Sequence, residues 1–263
     1  MATTQEAKLL MDALTSENVE AALRNLYANG VLDKFGPFKR LDGMTQGKYH
    51  HLDALNHTFE VVKNLKKHGA NPTLLLAGLF HDTGKADTRE PAEDGKVHFL
   101  GHEDHSQRYL RQAADTYGFE EAGFNVSKAV ILVKHHMLDE DRVQTERSRR
   151  KLRKDVGKDE DLFDLLILKG ADKASGAVPE RADYWLGEVG KKFQMDIEKE
   201  KQFSIKDLAI SGKDLVDLGV KQGKDIGNVL RHVFEMVNKN RNLNDRDILL
   251  EEARQFSIKN NII

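Results

Sequence analysis

Cysteine is absent from this 263-residue chain. Its absence removes disulfides, thiolate metal ligands and cysteine nucleophiles together, and it fits a reducing compartment. Any metal would have to be held by His, Asp or Glu. Prolines are few, at Pro37, Pro72, Pro91 and Pro179, and clear alternation of apolar and polar residues is scarce, so no sheet is expected. No apolar run reaches the roughly 18 residues of a membrane span. There is no signal-peptide pattern either, and a cytoplasmic location is expected. The formal net charge of -2 argues against wholesale electrostatic binding to nucleic acid but leaves room for a local basic patch.

What is present is ordinary for a globular protein, with 39% hydrophobic and 32% charged residues. The length suits one sizeable domain, alone or with a small appendage. Apolar residues recur at helical spacing, as in Leu9, Leu10, Ala13 and Leu14, or Leu55, Phe59, Val62 and Leu65. Asn71-Pro72-Thr73 reads as a helix start, with Pro72 in the first turn of a helix through Leu74 to Phe80. Further helices are expected near 18–29, 52–68, 103–117, 126–137, 160–175 and 180–201. Gly212, Gly219, Gly223 and Gly227 then recur among charged residues, and a boundary is placed near Phe203 with a small helical tail beyond it. The pentapeptide QFSIK occurs at 202–206 and 255–259, but its flanks do not match and it is read as coincidence.

The eleven histidines carry the chemical argument. The clustered ones are His50-His51, His57, His81, His98, His102, His105 and His135-His136. The stretch LLLAGLFHDTGKADTR, residues 74–89, runs from an apolar helix straight into His81-Asp82. A hairpin of this helix with the preceding one can bring His57 to that pair. Two further apolar stretches, VILVKHH and LFDLLILKGADKASG, end in His135-His136 and Asp172. Burying carboxylates at such core-facing positions is costly without a partner. A shared cation resolves the cost for all of them. Its nitrogen and oxygen ligands suit manganese, nickel, cobalt, magnesium or iron, and zinc less distinctively.

The order His57, His81-Asp82, Asp172 resembles the H…HD…D signature of the HD-domain metal-dependent phosphohydrolases. DGMTQGKYHHLDALNHTFEVV, LAGLFHDTGKADTR, VHFLGHEDHS, VKHHM and AISGKDLVDLGVKQGKDIGNVL also resemble the HD-containing C-terminal portion of bacterial CCA-adding tRNA nucleotidyltransferases, from about residue 18 to 253. The resemblance implies an all-α helical bundle: residues 1–45 a helical segment packing on the core, 46–202 the HD domain, and 203–263 a small helical tail. Those enzymes begin with a glycine-rich, sheet-containing nucleotidyltransferase head. This sequence has no Gly-Gly dipeptide. Its two DED triplets, at 139–141 and 159–161, read as solvated loop or helix-capping acids. Nucleotide addition is therefore not expected, and hydrolysis is.

The expected site follows. His57, His81, Asp82 and Asp172 hold a divalent cation, which polarises a phosphoryl oxygen and lowers the pKa of a bound water. By resemblance, a second metal would take His102, His135 and His136, with Asp82 bridging. The alternative is a single ion, with His102 and His135 orienting the phosphate. Asp82, Lys85 and His102 are the expected catalytic residues. Lys85 lies four residues after His81, and it and Arg89 match the family's GKxxTR, implying a grip on phosphate. Gly84 is read as an opening for phosphate to approach the backbone. The resemblance implies nucleotide or RNA-end substrates: 2′,3′-cyclic phosphodiesters, 2′-nucleotides or phosphomonoesters. A competing reading is an RNA- or tRNA-binding adaptor with a vestigial metal pocket, using the tail and residues 142–158, where eight Lys or Arg face two acids. A di-iron oxidative site, used by some HD-fold relatives, is a third.

Overall fold

A computed structural model describes residues 4–47, 51–91, 97–176, 179, 181–201 and 203–263. His50 and Gln202, the first residue of the first QFSIK copy, lie outside the described residues. The fold is all-α, as the spacing predicts. In chain order the first helices are α1 (Gln5–Thr15), α2 (Val19–Ala28), α3 (Leu32–Phe35), α4 (Phe38–Leu41), α5 (Ala54–Lys67), α6 (Pro72–Phe80) and α7 (Lys85–Thr88). After a two-residue ladder come α8 (His102–Tyr117), α9 (Val126–His135), α10 (Asp141–Gln144), α11 (Glu146–Val156) and α12 (Asp159–Ala174). Among the described residues the ladder is the one departure from the absence of strands: β1 (Glu90–Pro91) pairs antiparallel with β2 (Val97–His98). A short α13 (Arg181–Asp183) then widens into a π-helical turn at Tyr184–Val189 before α14 (Gly190–Lys201). The expected single helix over 180–201 is thus interrupted, and apolar spacing gives no sign of the wider turn.

The backbone clusters into two compact units, residues 1–191 and 192–263, dividing inside α14. In the first unit α6 is the central element, touching α1, α5, α8, α9 and α12. Every residue from Thr73 to Phe80 is buried, so the helix has no polar face and no solvent side. Its start is fixed locally: the Asn71 side chain accepts from the Leu74 amide at 3.0 Å, and Pro72 occupies the first turn. Phe80 packs edge-on against Phe38 and Phe119. Burying each such ring contributes about 2–3 kcal/mol, and together they hold the end of α6 in one place. Asp53 and Asn125 cap α5 and α9 in the same way.

The second unit contains α15 (Gly212–Asp217), α16 (Lys224–Lys239) and α17 (Arg246–Lys259). Its own core is Leu208, Ile210, Leu215, Val220, Val229, Val233, Val237, Leu249 and Ala253. Ser211 caps α15, with the Asp214 carboxylate accepting from both its amide and its hydroxyl at 2.7 Å. No described helix is long and apolar enough to cross a membrane.

Candidate metal centre

Five elements deliver six side chains to one place. His57 comes from the first turn of α5, His81 and Asp82 from the end of α6, and His102 from the first position of α8. His136 directly follows α9, and Asp172 lies in the last turn of α12. Their atoms form two sets of three, His57–His81–Asp172 and Asp82–His102–His136, each with its ligand atoms within 4.8 Å of one another. All but Asp172 are essentially buried, and the Asp172 side chain is 18% exposed.

The histidine tautomers follow from the backbone. His81, His102 and His136 each place Nδ1 2.7 Å from the carbonyl three residues earlier, of Gly78, Phe99 and Val133. A carbonyl only accepts, so Nδ1 carries the proton and Nε2 presents a lone pair. His57 Nδ1 faces the Ser175 carbonyl at 3.4 Å. The second ring nitrogens therefore turn inward. His57 Nε2 lies 3.2 Å from Asp172 Oδ1, and His81 Nε2 lies 3.2 Å from Asp82 Oδ2. His102 and His136 Nε2 lie 3.2 and 3.6 Å from Asp82 Oδ1. Each Asp82 oxygen thus faces a different set.

This donor set fits a cation on two observations. The buried Nε2 of His81 has no hydrogen-bond partner among the described residues, a costly arrangement for a polar atom. The Nε2 atoms of His102 and His136 stand 3.1 Å apart, and with both Nδ1 positions protonated two lone pairs face each other. A positive centre between them satisfies both. Anchoring of the far nitrogen by a carbonyl is also how metal-ligating histidines are held in orientation.

Burial opposes the charge on Asp82, yet its surroundings, His81 and the Lys85 ammonium foremost and the nearby rings of His102 and His136 after them, hold its carboxyl well below the usual range. Asp172 is likewise opposed by burial and held low, by Lys169 first and then His57. Burial pushes His136 down to about 4, so its ring is neutral near pH 7. Both carboxylates are charged, as cation ligands must be.

The remaining expected residues divide. Lys85 is 8% exposed, with Nζ 2.6 Å from both Asp82 Oδ2 and Gln46 Oε1. It belongs to the centre. Arg89 is exposed at the end of α7, and the described residues give it no ion pair. His135 is buried but joins neither set. Successive helical residues diverge by about 100°, so only one of the His135-His136 pair can face inward. Gly84 does not admit phosphate: a Cβ there would collide with the His102 carbonyl and lie 2.7 Å from Ser106 N and His105 Cβ. Helix α8 fills that space, and the Gly84 amide donates to Ser106 Oγ at 2.8 Å. His105 pairs with Asp87 at 3.0 Å, outside the centre.

Neither DED triplet joins the centre. Asp139 Oδ1 accepts from the Arg142 amide at 2.9 Å, a capping role. Asp161 departs from the expected solvated acid, being 6% exposed and paired with Lys128 at 2.8 Å. Two residues of the centre are missed from sequence. Gln46 holds Lys85 from an irregular segment, and Lys169 is buried with Nζ 3.2 Å from Asp172 Oδ2. The signal for Lys169 was its place one helical turn before Asp172 within an apolar run.

Residues 54–175 match the family model described as HD domain. Two curated proteins are similar over most of the chain. One is an A-adding tRNA nucleotidyltransferase of Deinococcus radiodurans, 31% identical over 232 residues, covering 84% of this chain and 51% of that protein. The other is a CC-adding tRNA nucleotidyltransferase of Thermus thermophilus, 31% identical over 229 residues, covering 84% and 50%. The chain spans about half the length of the curated relatives it matches.

Proposed function

From the match of residues 54–175 to the HD-domain family we propose that this chain is a metal-dependent phosphohydrolase or phosphodiesterase acting on nucleotides or RNA ends. The observation that carries this reading is Asp82, with one carboxylate oxygen turned to each three-ligand set. The relatives are named as tRNA enzymes, which directs the first assays to RNA-terminal 2′,3′-cyclic phosphates, 2′-nucleotides and phosphomonoesters. The catalytic part is assigned to 46–202, with 1–45 packing on it and 203–263 as the tail.

In this mechanism His57, His81, Asp82 and Asp172 would hold one divalent ion, and His102 and His136 with Asp82 would be the ligands for a second. Bound there, the metal supplies Lewis acidity toward a phosphoryl oxygen and acidifies water. The chain does the rest. The Nδ1 anchors keep the four imidazoles from rotating, so no reorganisation accompanies substrate binding. Gln46 and Asp82 together fix the Lys85 ammonium, a preset positive charge for a phosphate oxygen. The buried end of α6 keeps bulk water from screening these charges.

RNA contact outside the centre is supported by part of the 142–158 stretch. Arg149 is used internally, donating to the Val143 and Gln144 carbonyls, and Arg150 and Arg153 pair with Glu146 and Asp159. Arg147, Lys151, Lys154 and Lys158 remain exposed. Purified protein supplied with manganese or nickel is expected to hydrolyse at least one of the three substrate types. A lack of turnover on all of them, with salt-dependent tRNA binding retained in Asp82→Ala, favours the adaptor instead.

A further inference from the structure

Lys169 has no place in the mechanism above, although it is 4% exposed and sits 3.2 Å from a ligand oxygen. Surface lysines are ordinary, but a buried one needs an anion. Lys169 pairs with Asp172, whose other oxygen faces His57. Asp82 has the same arrangement, with Lys85 on Oδ2 at 2.6 Å. Each carboxylate of the centre is therefore matched by its own buried lysine. The histidines count as neutral when they ligate a metal. Two negative and two positive charges cancel, so the protein part of the centre is neutral.

Each divalent ion placed in this centre leaves a double positive excess, weakly screened because Asp82, His81 and Lys169 are almost inaccessible. Such an excess is relieved by an incoming anion, and more completely by one with two charges than by one with a single charge. A terminal phosphomonoester is a dianion near pH 8, and a phosphodiester, cyclic or open, is a monoanion. We propose that Lys169 is a specificity-determining residue that biases the centre toward phosphomonoester dianions over phosphodiesters. This rests on the phosphohydrolase reading and narrows its substrate class.

The test uses the full chain loaded with manganese at pH 8. Inorganic phosphate and dimethyl phosphate are titrated calorimetrically, which reads binding without turnover. Phosphate is expected to bind at least about tenfold more tightly than dimethyl phosphate, and Lys169→Gln to weaken phosphate about tenfold while moving dimethyl phosphate less than about threefold. Lys169→Arg, which keeps the charge, is expected to restore the preference, and manganese content and thermal melting confirm that each variant is folded and loaded. If Lys169→Gln does not fold, the arginine variant and the wild-type preference decide. Equal losses for both anions, an unchanged phosphate affinity, a wild-type preference for dimethyl phosphate or binding of neither would overturn the proposal. Turnover assays separate the two levels: esters hydrolysed without a Lys169-dependent preference sink this inference alone, whereas no hydrolysis of any ester sinks the phosphohydrolase reading.

Discussion

His102 and His136 meet Nε2 to Nε2 at 3.1 Å, each with its Nδ1 proton committed to a backbone carbonyl at 2.7 Å. Two imidazoles so arranged repel unless something positive lies between them. Helices α8 and α9 pack against each other, so that repulsion is carried by the fold. Divalent metal is therefore expected to stabilise the protein. With free manganese or nickel at about 100 times Kd, unfolding should become harder by about 2.7 kcal/mol, reversibly on adding chelator. Thermal melts with and without metal read this directly, and a melting temperature indifferent to both would refute it.

The paired histidines of α9 offer an internal control. His136→Ala removes a ligand and is expected to lower metal affinity at least about tenfold. His135→Ala is expected to leave metal content intact and to cost only the packing of a buried ring, about 1–3 kcal/mol. Metal analysis of both variants after dialysis distinguishes them. Equal losses would mean that His135 reaches the centre.

Gly84→Ala is expected to damage the site without touching a ligand. The added methyl meets the His102 carbonyl, which is backbone and cannot swing aside. Overpacking of this kind costs about 1–3 kcal/mol or more, and it pushes on the residue that opens α8. A lowered urea midpoint together with reduced metal affinity is the predicted pair of results. Wild-type values for both would contradict the packing described here.

How far the sequence led can be judged from these same residues. His57, His81, Asp82 and Asp172 stand where apolar helical stretches end or turn inward, so their convergence was readable once the helices were recognised. The central helix declared itself by an apolar run with a capping Asn71 and Pro72. The sequence places Lys85 four residues after His81, but its burial against Asp82 and Gln46 depends on a segment near residue 46 that has no periodicity. Lys169 stands one helical turn before Asp172 within an apolar run, but its burial is decided by what α12 packs against. His135 and His136 were indistinguishable until the direction of the helix was known. For Gly84, sequence offered small size as an opening to ligand, whereas the space is taken by α8.

Asp87 fastens α7, the helix that begins at Lys85, to its surroundings. Its carboxylate receives Arg40 at 2.7 Å, Tyr109 at 2.8 Å and His105 at 3.0 Å. Partial burial raises its pKa, but hydrogen bonds from His105, Tyr109 and Arg40 outweigh that and bring it down to about 2. A carboxyl depressed on folding stabilises above its unfolded pKa, and that contribution disappears as pH falls through the folded value. The stability gap between wild type and Asp87→Asn is thus expected to be constant from about pH 5 to 8 and to close between about pH 4 and 2, with a plateau near 1 kcal/mol after solvent screening. Denaturant titrations at pH 7, 4 and 3 measure it. A gap that widens on acidification would contradict the sign.

The most direct test of the account compares wild type with Asp82→Ala in one preparation scheme, measuring bound metal and phosphate-ester turnover together. Asp82 belongs to one ligand set, lies 3.2 Å from His81 of the other and holds Lys85. The account predicts that manganese- or nickel-loaded wild type hydrolyses a 2′,3′-cyclic phosphate, a 2′-nucleotide or a phosphomonoester, that chelator stops it, and that Asp82→Ala loses metal and at least about a thousandfold in rate. Turnover that persists in Asp82→Ala, or metal-loaded wild type that hydrolyses none of these esters, would contradict it.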